Sequence, residues 1–174
     1  MSKIIQTTDF VGKYSITQNS FGVSDLQAFI DKYEKVYLYD LLGISLGDLF
    51  YADISTPFTA PNTLIYATLF NSMYSDNSNA NVSNQIRSNG VKEMLLGFIY
   101  FEYTRNQNIT NTPNGNVIAS NEVSVPAKWS ETGVYEVYNE AIKSYRSIQT
   151  YILNTLTVYP LFNGAIKGYI CFAN

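Results

Sequence analysis

The sequence predicts a mainly α protein, a bundle of four to five helices with an extended, β-like arm between the third and last long helices. Three observations predict it. Apolar residues recur at helical spacing over several stretches. Cap residues and glycine stops bound those stretches. One Asn/Thr-rich turn, ITNTPNGNVI, interrupts the helical pattern and leads into scattered β-branched residues. At 174 residues the chain predicts one domain with a real core. Its parts are an N-terminal arm (1–22), helices (23–106), the extended arm (107–126), a last helix (130–156) and a C-terminal tail (157–174).

The N-terminal residues Met1 to Gly22 are polar, with isolated Ile, Phe and Tyr, and within them IIQTTDF reads as a strand or an arm. Ser24 is a good N-cap, and Asp25 places negative charge in the first turn of the helix that follows. Leu26, Phe29, Ile30, Tyr33, Tyr37 and Leu41 form its apolar stripe, Asp31 and Lys35 pair at i,i+4, and Gly43 is its stop. Ser45 caps a shorter helix, about Leu46 to Asp53, that ends before Pro57. Pro61 precedes a segment, Asn62 to Tyr74, that is apolar on much of its circumference and reads as a buried helix.

Asp76 to Asn84 is a loop, with Ser83 or Asn84 capping a long aromatic helix from Gln85 to Asn106. Its core face is Ile86, Val91, Leu95, Phe98 and Ile99, widened by Met94 and Phe101. Gly90 and Gly97 are costly inside it unless they permit a bend or close packing. Thr110 to Asn116 is a turn: Pro113 sets φ, and Asn114-Gly115 tolerates positive φ. Val117, Ile118, Val123 and Val125 argue for extended structure. A two-stranded ribbon is marginal alone and needs a partner surface. Ser130 caps the last helix, which carries Tyr135, Tyr138, Ala141, Ile142, Tyr145, Ile148, Tyr151, Ile152 and Leu156 on the helical period and packs antiparallel to the aromatic helix. Tyr159 to Asn174 reads as a tail docked on its own domain or on a neighbour.

Composition bounds the chemistry. No His is present, which removes the commonest general base and any Ser-His-Asp or Cys-His arrangement. The glycines do not form a phosphate loop. The single Cys171 permits no disulfide within the chain, fits a reducing cytoplasm, and reads as a small buried hydrophobe between Ile170 and Phe172. Carboxylate pairs remain: Asp40 with Asp48, and Glu131, Glu136 and Glu140, against a solvated face. Asp76, Asn77, Asn79 and Asn81 have the spacing of a calcium-loop fragment but lack its glycine and closing Glu. Trp129 either anchors an interface or staples the last helix to the core.

Net charge is −3, and the eleven Lys and Arg are scattered, so no basic stripe for nucleic acid exists. The longest apolar run, Met94 to Phe101, is too short for a bilayer, and no signal-peptide run opens the chain. The Asn81 and Asn108 glycosylation triplets are chance products of an Asn-rich sequence. Fifteen Tyr and ten Phe fit either an enlarged helical core or an interface.

Three segments carry a resemblance: DKYEKVYLYDLLGISLGDLFYADI, GFIYFEYTRNQNITNTPNGNV and KWSETGVYEVYNEAI. In this order, from about Asp31 to Ile142, the chain resembles head–tail connector (neck ring, or adaptor) proteins of tailed bacteriophages, above all those of gut Bacteroidetes phages, crAss-like phages included. There an aromatic helix leads through a Thr-rich turn with Gly into an extended arm, which corresponds here to Phe98 to Tyr103, Thr110, Thr112, Gly115 and Val117. Gly47 stands where the pattern has a bulkier residue such as Tyr.

The resemblance implies a structural virion protein, assembled in the host cytoplasm and not an enzyme, with no cofactor and no metal. It implies a homo-oligomer, a dodecameric ring matching the portal, touching portal protein on one side and a tail or second neck-ring protein on the other. DNA passes through the channel without specific binding, and no membrane is involved. The assembly interface is then expected at Ile109, Thr110, Thr112, Pro113, Asn114, Gly115, Val117, Ile118, Val123 and Val125, with Tyr169 and Phe172 from the tail. The alternatives are another minor virion or tail-completion protein, or a small carboxylate-dependent enzyme.

Overall fold

A computed structural model describes residues 2–16, 22–76, 85–107, 109–112, 115–118 and 133–165. The elements run α1 (Gly22–Leu42), α2 (Ile44–Asp53), α3 (Leu64–Phe70), β1 (Met73–Asp76), β2 (Gln85–Ser88), α4 (Gly90–Gln107), β3 (Ile109–Thr112), β4 (Gly115–Ile118) and α5 (Val134–Asn154). The mainly helical class and the β arm between α4 and α5 are as predicted. The helical block also holds a second antiparallel hairpin, β1–β2, paired Met73↔Ser88 through Asp76↔Gln85.

α4 forms the centre, packing on α1 and α5. Its apolar run leaves no polar face along most of its length, so Val91, Met94, Leu95, Phe98 and Ile99 are fully buried and Phe101 nearly so. Phe98 stacks on Tyr37 of α1 at 4.4 Å and meets Tyr138 and Tyr145 of α5 edge-on. Tyr103 lies near Phe29 while Phe98 lies on Tyr37, so α1 and α4 are antiparallel. Phe101 against Tyr138 and the Asn89 N–H on Ser144 set α5 antiparallel to α4, as expected. A Cβ on Gly97 would sit 2.9 Å from the Ala141 methyl, so this glycine permits close helix packing rather than a bend. Many of the aromatics therefore build the core: Tyr14, Tyr37, Phe50, Phe98, Tyr145 and Tyr159 are all buried.

Several boundaries differ from expectation. The aromatic helix does not start at Gln85. Residues Gln85–Ser88 are β2, and α4 begins at Gly90, whose φ of +89° and N–H donation to Ser88 Oγ (3.0 Å) turn the chain from strand into helix. Ile86 is buried, but from a strand. The expected helix Asn62 to Tyr74 is shorter. Asp53 takes the Thr63 N–H and hydroxyl at 2.7 Å each, so α3 starts at Leu64, and Met73 and Tyr74 belong to β1. α1 starts at Gly22, ahead of Ser24, and α2 at Ile44, so Ser45 lies inside it. Gly43 does end α1, at φ +82°. The last helix spans Val134–Asn154 with Gly133 at its N-cap in the left-handed region, and Ser130 lies outside the described residues.

Residues 2–16 are not an arm. Ile4 and Ile5 are fully buried in the core, and two 3-10 turns, Thr7–Asp9 and Gly12–Tyr14, follow them. The tail docks on its own bundle through residue 165. The Tyr159 hydroxyl donates to Ile65 O (2.8 Å), Asn163 N to Leu42 O (3.3 Å) and Ala165 N to Asp40 O (2.8 Å). The last two bond carbonyls in the final turn of α1, which lack partners within the helix.

Candidate assembly interface

The predicted interface begins with the β3–β4 hairpin. Its register is Ile109↔Ile118, Thr110↔Val117, Asn111↔Asn116 and Thr112↔Gly115, and it follows α4 after a single residue. The structure thus brings Ile109, Thr110, Thr112, Gly115, Val117 and Ile118 together in one ribbon. Pro113, Asn114, Val123, Val125, Tyr169 and Phe172 lie outside the described residues. Among the described strands, β3 and β4 pair only with each other. Residues 109–118 carry no charge.

A second surface was not predicted. Where α1 and α5 end and α2 begins, large apolar side chains stand in solvent: Leu64 at 79%, Ile44 at 69%, and Leu153, Leu156, Val158 and Leu161 at about half exposure. The Tyr159 bond to Ile65 and the approach of Asn163 to Gly43 draw these segments to one end of the bundle. No charged residue occurs between Arg146 and Lys167 or between Asp53 and Asp76. The signal was legible as those uncharged runs.

Of the candidate carboxylates, Glu140 and Asp48 hold partners within the bundle. Glu140 takes Lys13 Nζ at 2.7 Å, and Glu93 takes the same ammonium at 3.3 Å and the Tyr14 hydroxyl at 2.9 Å. Burial, with the Glu93 charge second, pushes the Tyr14 phenol well above its ordinary range, so it stays a donor. This network pins the second 3-10 turn to α4 and α5. Glu136 and Glu140 line an open cavity of about 340 Å³ with Lys13, Gly133 and Val137. Asp48 accepts the Tyr39 hydroxyl at 2.6 Å, and Asp40 contributes its backbone carbonyl to Tyr145 at 2.9 Å. Glu131, Trp129, Cys171 and the Asn77–Asn81 loop lie outside the described residues. Among the described residues no cluster of metal-ligating side chains occurs, and no helix is long and apolar enough to cross a membrane.

One buried carboxylate escaped the sequence reading. Glu34, fully inaccessible, accepts the backbone N–H groups of Lys3 (2.8 Å), Ile4 (3.1 Å) and Ile5 (2.7 Å) and the Tyr51 hydroxyl (3.1 Å). Ser2 N reaches Asp31 at 2.7 Å one turn earlier. Lys3 Nζ donates to Tyr51 O and Ile54 O, closing the carboxyl end of α2. Glu34 sits four residues after Ile30 and four before Leu38, on the core stripe of α1, and that position was the available sign. Comparison with family models, curated proteins and solved structures finds no match to this chain.

Proposed function

We propose that this chain is a structural ring subunit of a tailed-phage neck, joining portal to tail and continuing the DNA channel. The resemblance across Asp31 to Ile142 motivates the reading, and the single observation that carries it is the placement of the uncharged β3–β4 ribbon. The bundle closes its own core, its N-terminal residues and its tail to residue 165 on itself, and leaves the ribbon beyond the end of α4. A ribbon whose strands, among the described strands, pair only with each other suits strand pairing with another chain. The apolar end gives a second contact, for portal or tail protein. A net charge of −3 lets DNA pass without adhering.

Averaged images of particles that contain the chain test this. Density for it at the portal–tail junction, as a closed dodecameric ring, is expected. Density anywhere else in the particle overturns the placement.

A further inference from the structure

We infer that the outer edge of β1 receives the β3–β4 hairpin of a second copy, making a four-stranded sheet across each subunit contact. The inference rests on the ring reading and names the acceptor that reading lacks. β2 packs on α5, and Met73, Ile86 and Ser88 are buried, so β1–β2 is a fixed platform with one face in the core. β1 is the strand away from α5, and among the described strands it pairs only with β2. Met73–Asp76 holds neither Pro nor Lys, and its one charged residue, Asp76, is confined to the last position of the strand. Tyr74 stands 77% exposed there, a large aromatic available for cross-strand contact.

The geometry excludes pairing within one chain. β2 ends at the start of α4 and β3 begins just past its end. The eighteen residues of α4 separate the two hairpins by about 27 Å at 1.5 Å per residue. A four-residue strand spans only about 13 Å, so the ribbon cannot fold back to β1 of its own copy. It meets that edge only in a neighbour. Both hairpins are four residues deep, so their lengths match, and the marginal β3–β4 ribbon gains a fixed platform in one sheet of four strands. Hairpin and edge lie at opposite ends of α4, so the contact is head-to-tail, the kind that closes into rings.

Disulfide trapping tests it in the full chain with Cys171→Ser as background. Chains carrying Tyr74→Cys are mixed with chains carrying Thr110→Cys or Val117→Cys, oxidised, and resolved by non-reducing gel and mass spectrometry. The expected result is a covalent heterodimer in the mixture, and a ladder of oligomers when both cysteines share one chain. Tyr74→Lys, at an exposed position, is expected to keep the fold by circular dichroism and lose the oligomer. Rings that form without these cross-links, or a cross-link confined to one chain, overturn the edge pairing and leave the neck placement standing. A chain that stays monomeric and unlinked at its highest soluble concentration also overturns it, and particle images then decide the placement separately.

Discussion

Replacing Glu34 by Ala should cost about 3–5 kcal/mol of folding stability, worked from what its carboxylate holds. Three backbone N–H groups and one hydroxyl lose their acceptor. Each buried donor left unsatisfied costs about 1–3 kcal/mol. The Ile4 and Ile5 amides cannot turn to water in place, because both residues are fully buried. The escape is release of residues 2–5 from the bundle, and exposing two isoleucines at about 1.5–3 kcal/mol each sets a ceiling of about 3–6 kcal/mol. Urea unfolding followed by circular dichroism measures the loss, and amide exchange at Ile4 and Ile5 identifies its source. The mutant should unfold with less denaturant, and those two amides should lose their protection. A change below about 1 kcal/mol would refute the view that this carboxylate anchors the N-terminal segment.

Other outcomes follow from the same contacts. Burial raises Glu34 above its ordinary 4.5, against the opposing pull of its Lys3, Ile5, Tyr51 and Ile4 hydrogen bonds. A raised folded pKa means its contribution is fully present below that ordinary value and is lost as pH rises through the folded one, so wild type should gain stability relative to Glu34→Gln on acidification from neutral pH toward 4.5; a relative loss on acidification would reverse the sign. Gly90→Ala forces a side chain into φ +89° with its Cβ 2.6 Å from the Asn71 carbonyl, and should cost about 3 kcal/mol or more in urea unfolding. Gly97→Val drives into Ala141 and should cost about 2–3 kcal/mol, since the added methyls exceed any gain in helix propensity. Deleting Thr110 to Asn116 should leave the helical circular dichroism intact and abolish assembly; lost helicity would make the ribbon part of the core.

Periodicity made the long helices legible. Leu26, Ile30 and Leu41 of α1 and Ala141, Tyr145, Ile148 and Ile152 of α5 recur as a helix requires, and all are buried. The β1–β2 hairpin was hidden because a four-residue strand carries too few alternations to outweigh its neighbours. Even so, Ile86 to Val91 is a five-residue step, which is not helical spacing, and Gly90 lies within it. The N-terminal segment was opaque for a different reason. Its acceptor, Glu34, lies about thirty residues away, and no local pattern encodes a contact of that range. Extended structure was readable at Val117 and Ile118 from their β-branched side chains, but the expected turn, Thr110 to Asn116, was too long, since Ile109–Thr112 and Gly115–Ile118 are paired strands; for the surface at Leu64, Leu156, Val158 and Leu161 the uncharged runs were the sign, and the fold was needed to bring α3 beside the end of α5.

The corrected N-terminus bears on the proposed ring. Had residues 2–16 been an adhesive arm, two extended segments could have shared the subunit contact. Ile4, Ile5, Phe10 and Tyr14 instead lie in the core, and the Lys13, Glu93 and Glu140 network fastens that segment to α4 and α5. Fastening it makes α4 a rigid spacer, gripped from α1, α5 and the N-terminal turns at once. The proposed contact places a hairpin at one end of this spacer and the acceptor edge strand at the other. In such a ring, the geometry across the spacer contributes to the rotation between neighbours and hence to the number of subunits that close it. Stoichiometry then depends on residues in the α4–α5 contact as much as on the ribbon. Gly97 is the sharpest probe of that dependence. An alanine there, small enough to fold but forced against Ala141 at 2.9 Å, should shift the subunit count or the fraction of closed rings seen by native mass spectrometry. An unchanged count and closure would mean that the interface, not the spacer, sets the angle.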